Sequence, residues 1–225
     1  MQEKDGSLYY FKNGEIDTTY TGTASYQNEI YYCENGHVAY DYTGFVEQGG
    51  KELYIRGGQQ ATDYTGLVYI ESEWWYVKNG EHAIEYTGLA ANINGQYYVE
   101  EGKINWSYTG SYYDGTKWWY VKGGCVDGDY TGFVKQGGKE IYIQGGRQAT
   151  DYTGLVYTGS EWWYVENGEH AIEYTGIVAN NNGQYYVEKG KINWNYTGAF
   201  IFDGIEYNIV NGQVIYTYCQ LDKCK

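Results

Sequence analysis

Proline is absent from the 225 residues, so the turns fall to the 33 glycines and their polar neighbours, which tolerate positive φ. Leucine is scarce, which leaves no thick aliphatic core. The 31 tyrosines and 8 tryptophans must pack in its place, and each ring buries a large area. Such a mixture suits short strands punctuated by turns. No basic run occurs and the formal net charge is -14, so a phosphate backbone is repelled and nucleic acid is not an expected partner. No apolar run approaches membrane-spanning length, and Met1 is followed by Gln2, Glu3, Lys4 and Asp5, which is no signal-peptide pattern. The four cysteines lack zinc-type pairing. Cys219 and Cys224 are close enough for a local disulfide, while Cys33 and Cys125 lie units apart, so no disulfide framework is expected. No segment keeps helical spacing, and helix content should be near nil.

What is present is a repeat. Tyr-Thr-Gly begins at Tyr20 and returns every 22 residues as far as Tyr196, with Tyr218 at the next step. A glycine row keeps the same step from Gly14 to Gly212. A fixed short period marks a solenoid in which each unit leans on its neighbours. The expected fold is therefore all-β: an elongated β-hairpin solenoid of about ten 22-residue units, read as one domain over 1–225. Phe45–Gly110 recurs as Phe133–Gly198, which points to a duplicated block of four units, 45–132 and 133–220. The last unit drifts, with Asn208 replacing the usual tyrosine and Tyr218-Cys219-Gln220 replacing Tyr-Thr-Gly. Residues 199–225 thus read as a terminal cap, and self-association through the solenoid ends stays open.

Within a unit the pattern is a hairpin. Leu67–Ile70 reads as a strand, Glu71-Ser72-Glu73 as a turn, Trp74–Val77 as the returning strand and Asn79-Gly80 as a second turn. Side chains alternate across a strand, so the repeat sorts them by face. The rows containing Trp75 and Val77 are apolar or aromatic in every unit and should face the interior; Cys33 belongs to the second row and reads as a small buried hydrophobe. The row containing Trp74 also admits Glu52, Gln96, Glu140, Gln184 and Glu206, so it should face water and leave Trp74, Trp118 and Trp162 exposed. Each of these indoles should stand opposite a tyrosine five residues earlier: Tyr69, Tyr113 and Tyr157. The pair has two readings. It is a cross-strand contact worth about 0.2–1 kcal/mol, or it belongs to an aromatic clamp. The clamps would be Tyr69, Trp74 and Tyr76; Tyr113, Trp118 and Tyr120; and Tyr157, Trp162 and Tyr164, able to hold a sugar ring by stacking or a quaternary ammonium by cation–π attraction.

Trp74-Trp75-Tyr76-Val77-Lys78-Asn79-Gly80 followed by Tyr86-Thr87-Gly88 resembles the cell-wall-binding repeats of the choline-binding and glucan-binding families, with their W-Y-Y-F-x-x-x-G…T-G-W pattern, and is similar to the receptor-binding repeats of clostridial toxins. The resemblance runs through the whole chain. It implies a left-handed hairpin solenoid carried by secreted or cell-surface proteins of Gram-positive bacteria, as part of a larger protein. It also implies a choline cage built from a Trp after Thr-Gly, a Trp opening the returning strand and a Tyr of an adjacent unit. Here the residues after Thr-Gly run from Thr23 and Phe45 to Ala199, and none is Trp. Choline is weakened as a ligand by that departure, and a glycan or wall polymer fits at least as well.

Other constellations point away from chemistry. Acids precede Tyr-Thr-Gly at Asp41, Asp63, Glu85, Asp129, Asp151 and Glu173, which read as a solvated rim and not a calcium ladder. His37, His82 and His170 are too sparse for zinc. Every acid belongs to a repeating row or a turn, so no asymmetric place for a catalytic pair arises and no cofactor is expected. Trp106 and Trp194 occupy the connectors, where packing and ligand contact remain equal readings. The chain reads as a non-catalytic attachment module for a wall polymer or glycan. The rival readings are a host-glycan or host-protein adhesin and a purely structural spacer.

Overall fold

In the computed structural model of the chain, residues 1–215 are described, and they contain strands and turns but no helix. They form two compact units: Met1–Thr109 with Val121–Val126, and Gly110–Tyr120 with the chain from Asp127 on. Both are built from the same antiparallel hairpins, so the all-β hairpin solenoid is the observed architecture. The suggested Cys219–Cys224 disulfide and the Tyr218 end of the cap lie outside the described residues.

The unit around Trp74 serves for all. Gly66–Ile70 and Glu73–Lys78 pair in the register Val68↔Trp75 and Tyr69↔Trp74, joined through Glu71 and Ser72. Both turn residues have positive φ, 51° and 68°, the backbone that lets a two-residue turn follow the strands' twist. The turn is therefore tighter than the three residues expected. A short strand, Glu81–His82, which periodicity did not reveal, pairs with its own returning strand at Val77↔His82 and with that of the preceding hairpin at Glu81↔Leu53. This two-sided pairing stitches one rung to the next.

The repeat's invariant residues follow from that stitching. Gly80 donates its N–H to the Tyr64 carbonyl at 3.0 Å and accepts from the Tyr54 N–H at 2.8 Å, so it bridges to the preceding unit through its backbone. The tyrosine of Tyr-Thr-Gly donates its hydroxyl to the carbonyl three residues on, as Tyr64 does to Leu67 at 2.8 Å and Tyr152 to Leu155 at 2.9 Å. The threonine accepts from a turn N–H fourteen residues later, as Thr65 does from Asn79 and Thr153 from Asn167, both at 3.0 Å.

The Val77 row is the deepest: Cys33, Ile55, Val77, Val99, Val121, Ile143, Val165 and Val187 have no exposed surface. Burial pushes the Cys33 thiol up from its ordinary value, consistent with an unreactive packing group. Leu53, Ile141 and Tyr185 of the Trp75 row are buried, while Trp75, Trp119 and Trp163 are half-buried. The opposite face does not simply meet water. Each returning-strand tyrosine there packs on the tyrosine ten residues later in the connector: Tyr76 on Tyr86 at 4.1 Å between ring centroids, Tyr120 on Tyr130 at 3.8 Å and Tyr164 on Tyr174 at 4.3 Å. Such ring pairs contribute about 0.5–1.5 kcal/mol each beyond their burial.

Candidate ligand-binding sites

The structure brings together the two cross-strand partners of each expected clamp. Ring centroids lie 5.3 Å apart for Tyr69 and Trp74, 5.2 Å for Tyr113 and Trp118, and 5.4 Å for Tyr157 and Trp162, with planes tilted 47°, 43° and 48°. The tyrosines are open, at 60%, 47% and 62% exposure.

Two expectations are corrected. Tyr76, Tyr120 and Tyr164, expected as open third walls, are instead packed on connector rings, because the Tyr-Thr-Gly connector folds over them and brings Tyr86, Tyr130 and Tyr174 against them. Trp74, Trp118 and Trp162 are half-buried and not exposed. Trp74 packs against Leu67, Ala90, Val99 and Ile104, and Trp162 against the equivalent Leu155, Val187 and Ile192, since the next hairpin covers part of that face. Each site is thus a wedge with one half-buried indole and one exposed phenol.

Two glutamates of the Trp74 row, Glu52 and Glu140, have a second role beside their contact with solvent. His170 Nδ1 lies 2.7 Å from the Glu140 carboxylate and its Nε2 lies 3.2 Å from the Gly190 carbonyl. The ring is thus held through both of its nitrogens, one toward each neighbouring rung. The His170 side chain is 4% exposed and is walled by Phe133, 5.7 Å away, and Trp163, 5.0 Å away and edge-on. His82 repeats the arrangement with Glu52, Gly102, Phe45 and Trp75. The space between Phe45 and Trp75, and that between Phe133 and Trp163, is therefore filled by the protein's own imidazole ring. The sequence carried a signal for this: histidine at this row of the short strand occurs only where glutamate stands thirty residues earlier in an aromatic-flanked unit.

Asp114 replaces the carbonyl that serves its counterparts. Trp75 and Trp163 donate Nε1–H to the Ile70 and Thr158 carbonyls, whereas Trp119 donates to the Asp114 carboxylate at 2.6 Å. Partial burial raises this carboxyl, but hydrogen bonds from Thr116, Trp119 and the backbone N–H groups of Lys117 and Thr116 outweigh it and hold the group well below the usual carboxylate range. A depressed folded-state value stabilises the fold above the unfolded value of about 3.9 and is lost as pH falls through the folded one. Asp114→Asn should therefore remove acid sensitivity. Wild type and variant melting temperatures, followed from pH 5 downward, should converge as the wild type loses its advantage; parallel curves would contradict this role.

The acids before Tyr-Thr-Gly, from Asp41 to Glu173, are all exposed, as a solvated rim requires. Among the described residues no group of His, Cys, Asp and Glu is placed to hold a metal ion. Among the described residues no helix is long and apolar enough to cross a membrane.

The repeated geometry agrees with sequence comparison. A family profile described as choline-binding repeat matches residues 19–38, 63–80, 85–105, 107–127, 129–148, 151–168 and 173–193, more than half of the chain. The chain belongs to the choline-binding repeat family. No curated protein matches it. Among solved structures, this family member is similar to CbpJ from Streptococcus pneumoniae, at 26% identity over 92% of this chain and 61% of that one with a TM-score of 0.29. It is also similar to choline binding protein F from Streptococcus pneumoniae, at 20% identity over 98% of this chain and 87% of that one with a TM-score of 0.34. A truncated alternansucrase from Leuconostoc mesenteroides matches at 15% identity over 80% of this chain and 16% of that one, with a TM-score of 0.30. The chain spans about three fifths of the CbpJ structure's length.

Proposed function

We propose that this chain is a non-catalytic attachment module that tethers a secreted or cell-surface protein to a wall polymer or another glycan. The observation that carries the reading is the threefold recurrence of an open tyrosine tilted over a half-buried tryptophan: Tyr69 over Trp74, Tyr113 over Trp118 and Tyr157 over Trp162. A half-buried indole loses little freedom when a ligand arrives, and the exposed phenol can close on it; a sugar ring stacks in such a wedge and a quaternary ammonium is held by cation–π attraction. His82 and His170 occupy the boxes beside Phe45 and Phe133, which leaves the three wedges to meet the ligand. The net charge of -14 disfavours polyanions. Several weak wedges on one chain give avidity for a polymer that reaches more than one.

The test is a calorimetric titration with choline chloride and with purified wall polysaccharide. The comparison is between wild type and Trp74→Gln/Trp118→Gln/Trp162→Gln, glutamine being what the same row holds at Gln96 and Gln184. Saturable binding weakened at least tenfold in the variant is expected. No heat with either ligand, or an unchanged affinity, would remove the wedges from the mechanism and favour the spacer reading.

A further inference from the structure

Of the eight tryptophans, only Trp106 and Trp194 are exposed, at 45% and 42%. They are equivalent residues of the duplicated block, placed in the connector before Tyr-Thr-Gly. The fold does not require an indole there. The same row holds Thr18, Tyr40, Thr62, Ile84, Gly128, Thr150 and Ile172, so a residue without a side chain suffices. Both indoles are nevertheless held. Trp106 stands edge-on to Tyr97 at 5.8 Å and 75°, and Trp194 to Tyr185 at 5.7 Å and 75°.

Beside each indole lies an open groove with ordered polar walls, about 340 Å³ at Trp106 and about 410 Å³ at Trp194. In the first, Asn105 Nδ2 donates to Glu100 at 2.6 Å and Lys103 pairs with Glu73 at 3.0 Å. In the second, Asn193 Nδ2 donates to Glu188 at 2.7 Å and Lys191 pairs with Glu161 at 2.7 Å. The amides are held further, since Asn105 Oδ1 accepts from the Ser107 N–H at 2.9 Å and Asn193 Oδ1 from the Asn195 N–H at 3.0 Å.

We propose that these grooves are two copies of a site for a neutral pyranose ring. An exposed indole face matches the C–H face of a sugar, and the amide, carboxylate and ammonium at its side can donate and accept along the hydroxyl rim. A single indole with a polar flank is no aromatic cage, which sets this site apart from one built for a quaternary ammonium. Carboxylates outnumber the one lysine in each groove, so uronic or sialic acids are repelled. The site deepens the attachment reading by naming a sugar class, but it uses none of the wedge residues.

The experiment titrates the full chain with maltoheptaose and chitotetraose as neutral probes, tetragalacturonate as the anionic control and choline chloride as the cationic one. The variants are Trp106→Thr/Trp194→Thr, which installs the residue found at Thr62 and Thr150, and Trp74→Gln/Trp118→Gln/Trp162→Gln. The expected result is binding of at least one neutral probe, weakened at least tenfold by the threonine pair, unaffected by the glutamine triple and not displaced by choline. Unfolding curves of the threonine pair should match wild type, which separates loss of site from loss of fold. Absence of binding by both neutral probes, equal affinity for tetragalacturonate, displacement by choline, or an unchanged affinity in the threonine pair would each overturn the proposal. Loss of binding only in the glutamine triple would overturn it while leaving the attachment reading standing.

Discussion

Replacing Gly80 by alanine should destabilise the chain by about 2–5 kcal/mol, whereas Gly50→Ala should cost about 1 kcal/mol. Both glycines have positive φ, +73° and +81°, so the left-handed backbone penalty is common to the two. What differs is the space a methyl group would enter. At Gly50 nothing lies within 4 Å, and the equivalent turn position of the next unit already holds Ser72 at φ 68°. At Gly80 the new carbon would sit 2.6 Å from the Ala61 carbonyl oxygen and 2.8 Å from the Thr62 Cα, which are backbone atoms that cannot swing aside. Moving them would also stretch the Gly80 bonds to Tyr64 and Tyr54 that couple adjacent hairpins. Chemical denaturation of both variants measures the difference. Equal midpoints would mean that this glycine row serves its own turn only and does not set the spacing of the rungs.

Removing the His170 ring has the second large effect. His170→Ala should cost about 2–4 kcal/mol, because it opens a cavity between Phe133 and Trp163 and takes the partner from Glu140. His170→Ile should cost only about 1 kcal/mol: isoleucine occupies the same row at Ile104 and Ile192, both almost fully buried, and the half-exposed Glu140 can turn to water. Added imidazole should restore part of the lost stability to the alanine variant by re-entering the space, and should do nothing for the isoleucine variant. Thermal unfolding with and without imidazole reads this directly. Equal losses in the two variants would show that the hydrogen bonds, and not the filling of the box, carry the contribution of the ring.

Much of this architecture was legible because its determinants are local and periodic. The 22-residue step of Tyr-Thr-Gly gave the repeat, the five-residue offset from Tyr69 to Trp74 gave the hairpin register, and the uniformly apolar Val77 row gave the deepest layer. Contacts between rungs were less legible. Tyr76 alternates with Trp75 as a strand residue should, yet its face is covered by Tyr86 from the connector, which no rule of alternation includes. Glu52 meets water as its charge suggests, but Glu52 and Glu140 each also pair with a histidine thirty residues on, in the neighbouring rung, which the row itself does not reveal. Trp106 and Trp194 stood undecided because a connector has no period-two pattern to assign a side. Their exposure came from the fold alone.

Attachment through aromatic side chains, and not through bulk charge, is the claim on which the functional account rests. Co-sedimentation with purified Gram-positive cell walls in about 1 M salt tests it, because exposed charges are then screened beyond about 3 Å while ring stacking persists. The wild-type chain should pellet with the walls, and a variant lacking the indoles at 74, 106, 118, 162 and 194 should stay in the supernatant. A wild-type chain that remains soluble under these conditions, or a variant that pellets equally, would contradict the account.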